Sequence, residues 1–247
     1  MSLNPNEEFG DRDASKIDDA IAKSVVSNYV GAKNLRTIKG AFELALPEEF
    51  EAWYKKWGKS DENVDEIPGF VNRDDKKKPI KLRLPGSHKT PATFEVAVHE
   101  TVHLNSNEGF KDGFGFNYNE GVTEYFTEKV LGAPGRAYRG QLGLAQGLIN
   151  AVGESDVADA YFKHDTGRAL LNRVQKALGA ANAFDSWWRK SRSKVPLDWK
   201  AADGLLQSAL TNSTSSGSGS GSGAGSGSGA GSGFGGGSST AGSGSRT

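Results

Sequence analysis

Two histidines lie four residues apart in this chain, at His99 and His103, and Glu100 directly follows the first. On a helix, residues four apart lie one above the other, so both imidazoles would face the same point. Such a pair suits a divalent metal, and a carboxylate beside it suits a general base that takes a proton from water. The three residues therefore predict half of a catalytic metal site.

Glu120 is the candidate for the third protein ligand. The intervening residues 104–119 are enough to end one helix, turn back and begin another. Two histidines and one carboxylate leave the fourth position of a tetrahedral zinc ion open for water, which distinguishes a catalytic site from a closed structural one. We therefore predict Zn²⁺ as the cofactor.

The two motifs, HETVH at residues 99–103 and NEGVTE at residues 119–124, together resemble the gluzincin metallopeptidases. In that family the first helix carries HExxH, and the second carries NE with another acidic residue one turn later. The resemblance covers about residues 90–132. It implies zinc ligation by His99, His103 and Glu120, with Glu124 orienting a ligand histidine from behind.

Two related zinc families fit less well. The metzincin pattern is excluded, because its third histidine would fall where this chain has Gly109. The aspzincin pattern is disfavoured, because the second motif offers glutamates and no aspartate. The alternative to a metal site is an amphipathic helix whose histidines pack in a core.

The predicted chemistry is hydrolysis of a peptide bond by a metal-activated water. Glu100 would take the proton from that water and pass it to the leaving amine. A further donor should stabilise the oxyanion, and the resemblance implies a downstream tyrosine or histidine. Tyr138 is the first candidate, with Tyr161 and His164 behind it, and no motif chooses among them.

Three further residues near the motifs have two interpretations each. His88 either lines the cleft or lies in an exposed loop. Glu95, one turn before His99, either supports that histidine or is solvated. Asn119 is predicted to cap the second metal helix, to contact the substrate backbone, or to do both.

The fold class expected is α+β, with a small mixed sheet followed by a mainly helical C-terminal part. Periodicity predicts a helix over 14–30, a strand over 36–46, a helix over 47–57 and a strand over 79–84. The last strand alternates apolar and basic residues, as a half-buried or edge strand does. At the edge, just before the metal helix, it could pair with an extended peptide.

Helix signals place the first metal helix from Thr90-Pro91 onward and the second from about Asn119 to Leu131, ending at Gly132. The stretch 105–115 is rich in turn residues. Further helices are predicted at 138–152, 156–163, 166–178 and 181–190.

Composition limits the partners and the compartment. Thirty basic and thirty acidic residues give zero net charge, so the overall field offers no argument for nucleic acid. With no cysteine, disulfides and thiolate metal sites are excluded. No apolar run predicts a membrane span or a signal peptide, so we expect a cytoplasmic protein, or one exported without a cleavable signal.

The organisation predicted is one peptidase domain over residues 1–212, with an α/β part to about 115 and a helical part to 212. Residues 213–247 are Gly/Ser-rich and predict a disordered tail, through which a delivery or assembly partner could attach. The leading hypothesis is a zinc peptidase of a small bacterial effector or toxin type that acts on a peptide or protein. The alternative is an inactive gluzincin-like binding or assembly module tethered by the tail.

Overall fold

The computed structural model describes residues 3–57, 67–84, 92–163 and 167–215. The helices are α1 (Ala14–Ala22), α2 (Val25–Val30), α3 (Pro47–Trp57), α4 (Phe94–Asn105), α5 (Glu108–Phe114), α6 (Phe116–Leu131), α7 (Arg139–Val152), α8 (Glu154–Phe162), α9 (Arg168–Leu178), α10 (Ala181–Ser191) and α11 (Pro196–Ser215). The strands are β1 (Phe42–Ala45), β2 (Gly69–Val71) and β3 (Ile80–Arg83). A small mixed sheet thus precedes a helical C-terminal part, and the predicted α+β class is confirmed.

The sheet has the strand order β1-β3-β2, with β1 parallel and β2 antiparallel to β3. The strand predicted over 79–84 is β3, and its placement at a sheet edge is wrong, because it is central and all four residues are buried. The basic residues in this strand pointed to an edge position, but Lys81 is in fact buried and has acidic partners. Its ammonium contacts Glu43 and Asp75, each at 2.8 Å. The edge strand beside α4 is β2.

The N-terminal segment holds the start of α4. Phe94 donates its backbone N–H to the Glu7 carbonyl, and Phe9 donates to the Ala92 carbonyl, both at 2.9 Å. The Phe9 ring packs edge-on against Phe94 inside the core. Thr93 caps α4 by accepting from the Val96 N–H, so the helix begins three residues later than predicted. The predicted start, Thr90-Pro91, lies outside the described residues.

The second metal helix, α6, begins three residues earlier than predicted, with Gly115 at its N-cap. Asn119 therefore lies inside the helix, and its predicted capping role is wrong. The C-terminal end is as predicted, with Gly132 in the left-handed conformation. Gly121 directly follows Glu120. A Cβ at Gly121 would lie 2.1 Å from the Gln141 carbonyl oxygen, so only glycine lets α7 approach α6 this closely.

Several other boundaries differ from prediction because of local caps. Ser24 caps α2 and divides the helix predicted over 14–30. Asn107 likewise caps α5 within the turn-rich stretch. The strand expected over 36–46 is limited to β1. The unpredicted α11 includes the first three residues of the predicted tail, and the tail from residue 216 lies outside the described residues.

The predicted C-terminal helices correspond to α7 through α10, with ends that differ by at most two residues. Across the described part of the chain, no helix combines the length and the apolar character needed to cross a membrane.

Candidate metal centre

The helices α4 and α6 bring the three predicted ligands together. The candidate ligand atoms of His99, His103 and Glu120 all lie within 4.8 Å of one another. The Nε2 atoms of His99 and His103 lie 3.3 and 3.1 Å from the same oxygen, Glu120 Oε2. His99 and Glu120 are buried, and His103 is nearly so. Two imidazole nitrogens and a carboxylate oxygen at one point form a donor set that can hold a metal ion.

Glu124 lies behind His99, where the family resemblance placed it. Its Oε2 is 3.1 Å from His99 Nδ1, and its side chain is fully buried. A carboxylate accepts only, so His99 donates to Glu124 from Nδ1. A metal ion would take the place of the proton on Nε2, and the Nδ1–H tautomer that Glu124 holds is the one a metal ligand needs.

His103 is held from behind by a second set of groups. Thr123 Oγ1 lies 3.1 Å from His103 Nδ1, and the Thr123 hydroxyl donates to the Asn119 carbonyl at 2.6 Å. Because its single hydrogen is used there, Thr123 accepts from His103 and also from the hydroxyl of Tyr161. In neutral His103 the contact with Thr123 therefore leaves the lone pair on Nε2.

The supporting role of Thr123 and Tyr161 was missed from the sequence, where Tyr161 was named only as an oxyanion candidate. Thr123 falls three residues after Glu120, which places it on the face of α6 that contacts α4, and this spacing was the available signal. Tyr161 is fully buried, and it is not among the described residues that line the cavity next to the three candidate ligands. Its place behind His103 does not fit the oxyanion role for which it was a reserve candidate.

The charges of the site favour the binding of a cation. Burial lowers the pKa of His99, but its hydrogen bonds to Glu120 and Glu124 outweigh burial and raise the pKa to about 10. Burial raises the pKa of Glu120, but His103 and His99 hold it well below the usual value. The metal-free site thus retains a proton between two carboxylates. A divalent cation would satisfy the same groups, so the residues present fit a metal.

A cavity of about 480 Å³ opens onto this group. Its lining includes Glu100, His103, Glu120 and Asn119, together with all three residues of β2. Glu100 is itself buried, with 7% of its surface exposed. Glu100 is not one of the three candidate ligands, but its carboxylate therefore shares this cavity with His103 and Glu120.

Tyr138 reaches the same cavity from the loop before α7. It has a left-handed backbone (φ 49°, ψ 31°), and it is the single non-glycine residue with positive φ in the part of the chain described. Its ring stacks on His99, with centroids 5.1 Å apart and planes at 18°. A conformation of this kind costs energy and needs support from its surroundings.

Glu95 supplies that support, which neither interpretation of this residue anticipated. It is buried, with 6% exposed, and Oε1 accepts the backbone N–H groups of Arg136 and Ala137. It therefore fixes the loop that carries Tyr138, and its burial shows that it is not a solvated helix position. The oxyanion role of Tyr138 stays a prediction. His88 and His164 lie outside the described residues.

No family model, curated protein or solved structure matches this chain.

Proposed function

We propose that the protein is a zinc-dependent peptidase of gluzincin type, in which His99, His103 and Glu120 hold the metal and Glu100 is the general base. The observation that carries the proposal is the convergence of both Nε2 atoms on Glu120 Oε2, with each histidine fixed from behind through Nδ1. A histidine packed only for core stability would not need its Nε2 atom aimed at a carboxylate oxygen that a second histidine shares. Zinc bound there would lower the pKa of a water and polarise the scissile carbonyl.

The residues of the chain divide the remaining work. Glu100 lines the cavity beside the metal group, where it can accept a proton from water and return it to the leaving amine. Tyr138, stacked on His99 at the cavity wall, is the proposed donor to the oxyanion. Asn119 lines the same cavity and is a candidate contact for the substrate backbone.

The edge strand β2 is the proposed docking strand for the substrate. Among the described strands it pairs with β3 alone, and its residues line the metal cavity. An extended peptide added along this edge would lie across the cavity. This assignment replaces the expectation that residues 79–84 would offer the edge.

The test compares the zinc-loaded wild-type protein with Glu100→Gln on a complex mixture of peptides from a digested cell lysate, with new termini detected by mass spectrometry. Glutamine keeps the shape but cannot accept a proton, so cleavage should fall by at least about 100-fold while zinc content stays at about one per chain. Glu49→Gln, at an exposed position in the first turn of α3, is the matched control and should cleave normally.

Two outcomes would contradict the proposal. Undiminished cleavage by Glu100→Gln would remove the general base. A fully zinc-loaded wild-type protein that cleaves nothing in the mixture would favour the alternative, a binding or assembly module. In either case the zinc content of His99→Ala tests the metal group separately, since loss of one of three ligands should abolish stable binding.

A further inference from the structure

A second cavity, of about 530 Å³, adjoins the metal cavity. The two share Arg73, Ser106, Asn107 and Glu108 in their linings. Three of them, Ser106, Asn107 and Glu108, run from the C-cap of α4 to the first residue of α5. The two cavities therefore border each other at the C-terminal end of α4.

The second cavity is basic. Its lining contains four cationic side chains, and its two acidic side chains are Asp75 and Glu108. The cations are Arg36, Arg73, Lys76 and Lys77. The excess of positive charge lies in a concave surface, where the field on a bound anion is stronger than on a flat surface.

The two acidic groups are already engaged. Asp75 accepts the backbone N–H groups of Lys78 and Lys77 and the ammonium of Lys81, and these contacts lower its pKa to about 2. Glu108 lies 3.5 Å from the Arg73 guanidinium, with its side chain 67% exposed. Neither carboxylate neutralises Arg36 or Lys77, for which the described residues offer no ion pair.

Arg73 lies between the basic cavity and the end of α4. Its Nη2 donates to the carbonyls of His103 and Ser106 at the end of α4. Arg73 and Arg36 both line the second cavity, so it brings a second guanidinium group to the surface beside the end of α4.

We propose that this basic cavity binds acidic side chains of a peptide substrate, on one side of the bond to be cleaved. The inference rests on the proposed peptidase function for its ligand class. Nucleic acid fits less well, because the described lining offers no aromatic ring on which a base could stack. The cavity volume also suits one or two side chains better than a long polyanion.

The test measures binding and not cleavage. The full chain carrying Glu100→Gln is loaded with zinc, and fluorescence anisotropy reports its affinity for labelled hexaglutamate and hexaglutamine peptides at low salt. Arg36→Gln with Lys77→Gln is then added to this background. The matched control is Lys176→Gln with Arg189→Gln, which removes the same charge from exposed positions on α9 and α10.

Hexaglutamate should bind more tightly than hexaglutamine. The Arg36/Lys77 pair of changes should weaken hexaglutamate binding about 5-fold or more, and the control pair less than about 2-fold. Equal affinity for both peptides, or equal loss in both variants, would overturn the proposal. Tighter binding of single-stranded oligodeoxythymidylate that is lost in the same variant would overturn the ligand class.

Two checks keep the outcome interpretable. Lys76→Gln with Lys77→Gln changes only exposed side chains and replaces the first variant if the melting temperature falls. Because binding is measured in the Glu100→Gln variant, the result can be interpreted even if the peptidase proposal fails. Absence of proteolysis with selective hexaglutamate binding would retain the acidic-ligand site and reject the enzyme.

Discussion

Glu124→Gln isolates the part of zinc affinity that comes from orienting a ligand. The substitution keeps the size of a fully buried side chain and removes its charge. The glutamine oxygen can still accept from His99 Nδ1, so the tautomer and the ring position can persist. The change therefore tests the charge-assisted hydrogen bond more cleanly than Glu124→Ala, which would also leave a cavity.

The magnitude follows from the buried contact of 3.1 Å between Glu124 Oε2 and His99 Nδ1. A hydrogen bond to a charged group contributes about 1.5–3 kcal/mol. Glutamine keeps a neutral hydrogen bond worth about 0.5–1.5 kcal/mol, so the loss is about 1–1.5 kcal/mol. At about 1.4 kcal/mol for each factor of ten, zinc binding weakens by about 10-fold. Substitutions of groups that support metal ligands fall in the same range.

The assay is competition for zinc against a chromophoric chelator of known affinity. Glu128→Gln is the matched control, because it lies one turn further along α6 and contacts the Gly135 N–H and Arg139 instead of a histidine. We expect it to change zinc affinity by less than about 3-fold. Wild-type affinity in Glu124→Gln, or an equal loss in Glu128→Gln, would refute the reasoning.

Two further substitutions test the second support and the packing of β2. Thr123→Val removes the oxygen that accepts from His103 and should weaken zinc binding about 10-fold. Tyr161→Phe leaves that oxygen in place and should weaken zinc binding by less than about 3-fold. Equal losses in the two variants would contradict the assigned hydrogen-bond directions. Gly69→Ala places a Cβ 2.8 Å from Val96 Cγ1 and 2.9 Å from Leu82 Cδ2, and denaturant titration should show a loss of about 1–3 kcal/mol. The control is Gly143→Ala, in α7 with open space around it, which should be neutral or stabilising by up to about 1 kcal/mol. Full stability of Gly69→Ala would mean that β2 is not packed on α4 as described.

The spacing of residues within each motif was enough to place each pair of candidate residues on one helix face, whereas the joining of the two motifs in one metal site rested on the family resemblance. His99 and His103 share a helix face because they are four residues apart, and Glu120 and Glu124 do so for the same reason. Helical periodicity is a local property of the chain, so these placements needed no knowledge of distant contacts. The α+β class followed likewise from apolar periodicity and turn residues along the chain.

The supports of the site depend on contacts between residues far apart in sequence. Thr123 meets Tyr161 across 38 residues, and Glu95 meets Arg136 across 41. Lys81, buried in the central strand β3, finds its partner Glu43 38 residues away. Only tertiary packing decides such pairs, because a buried polar group must find a partner, and the local sequence does not say which distant segment will supply it.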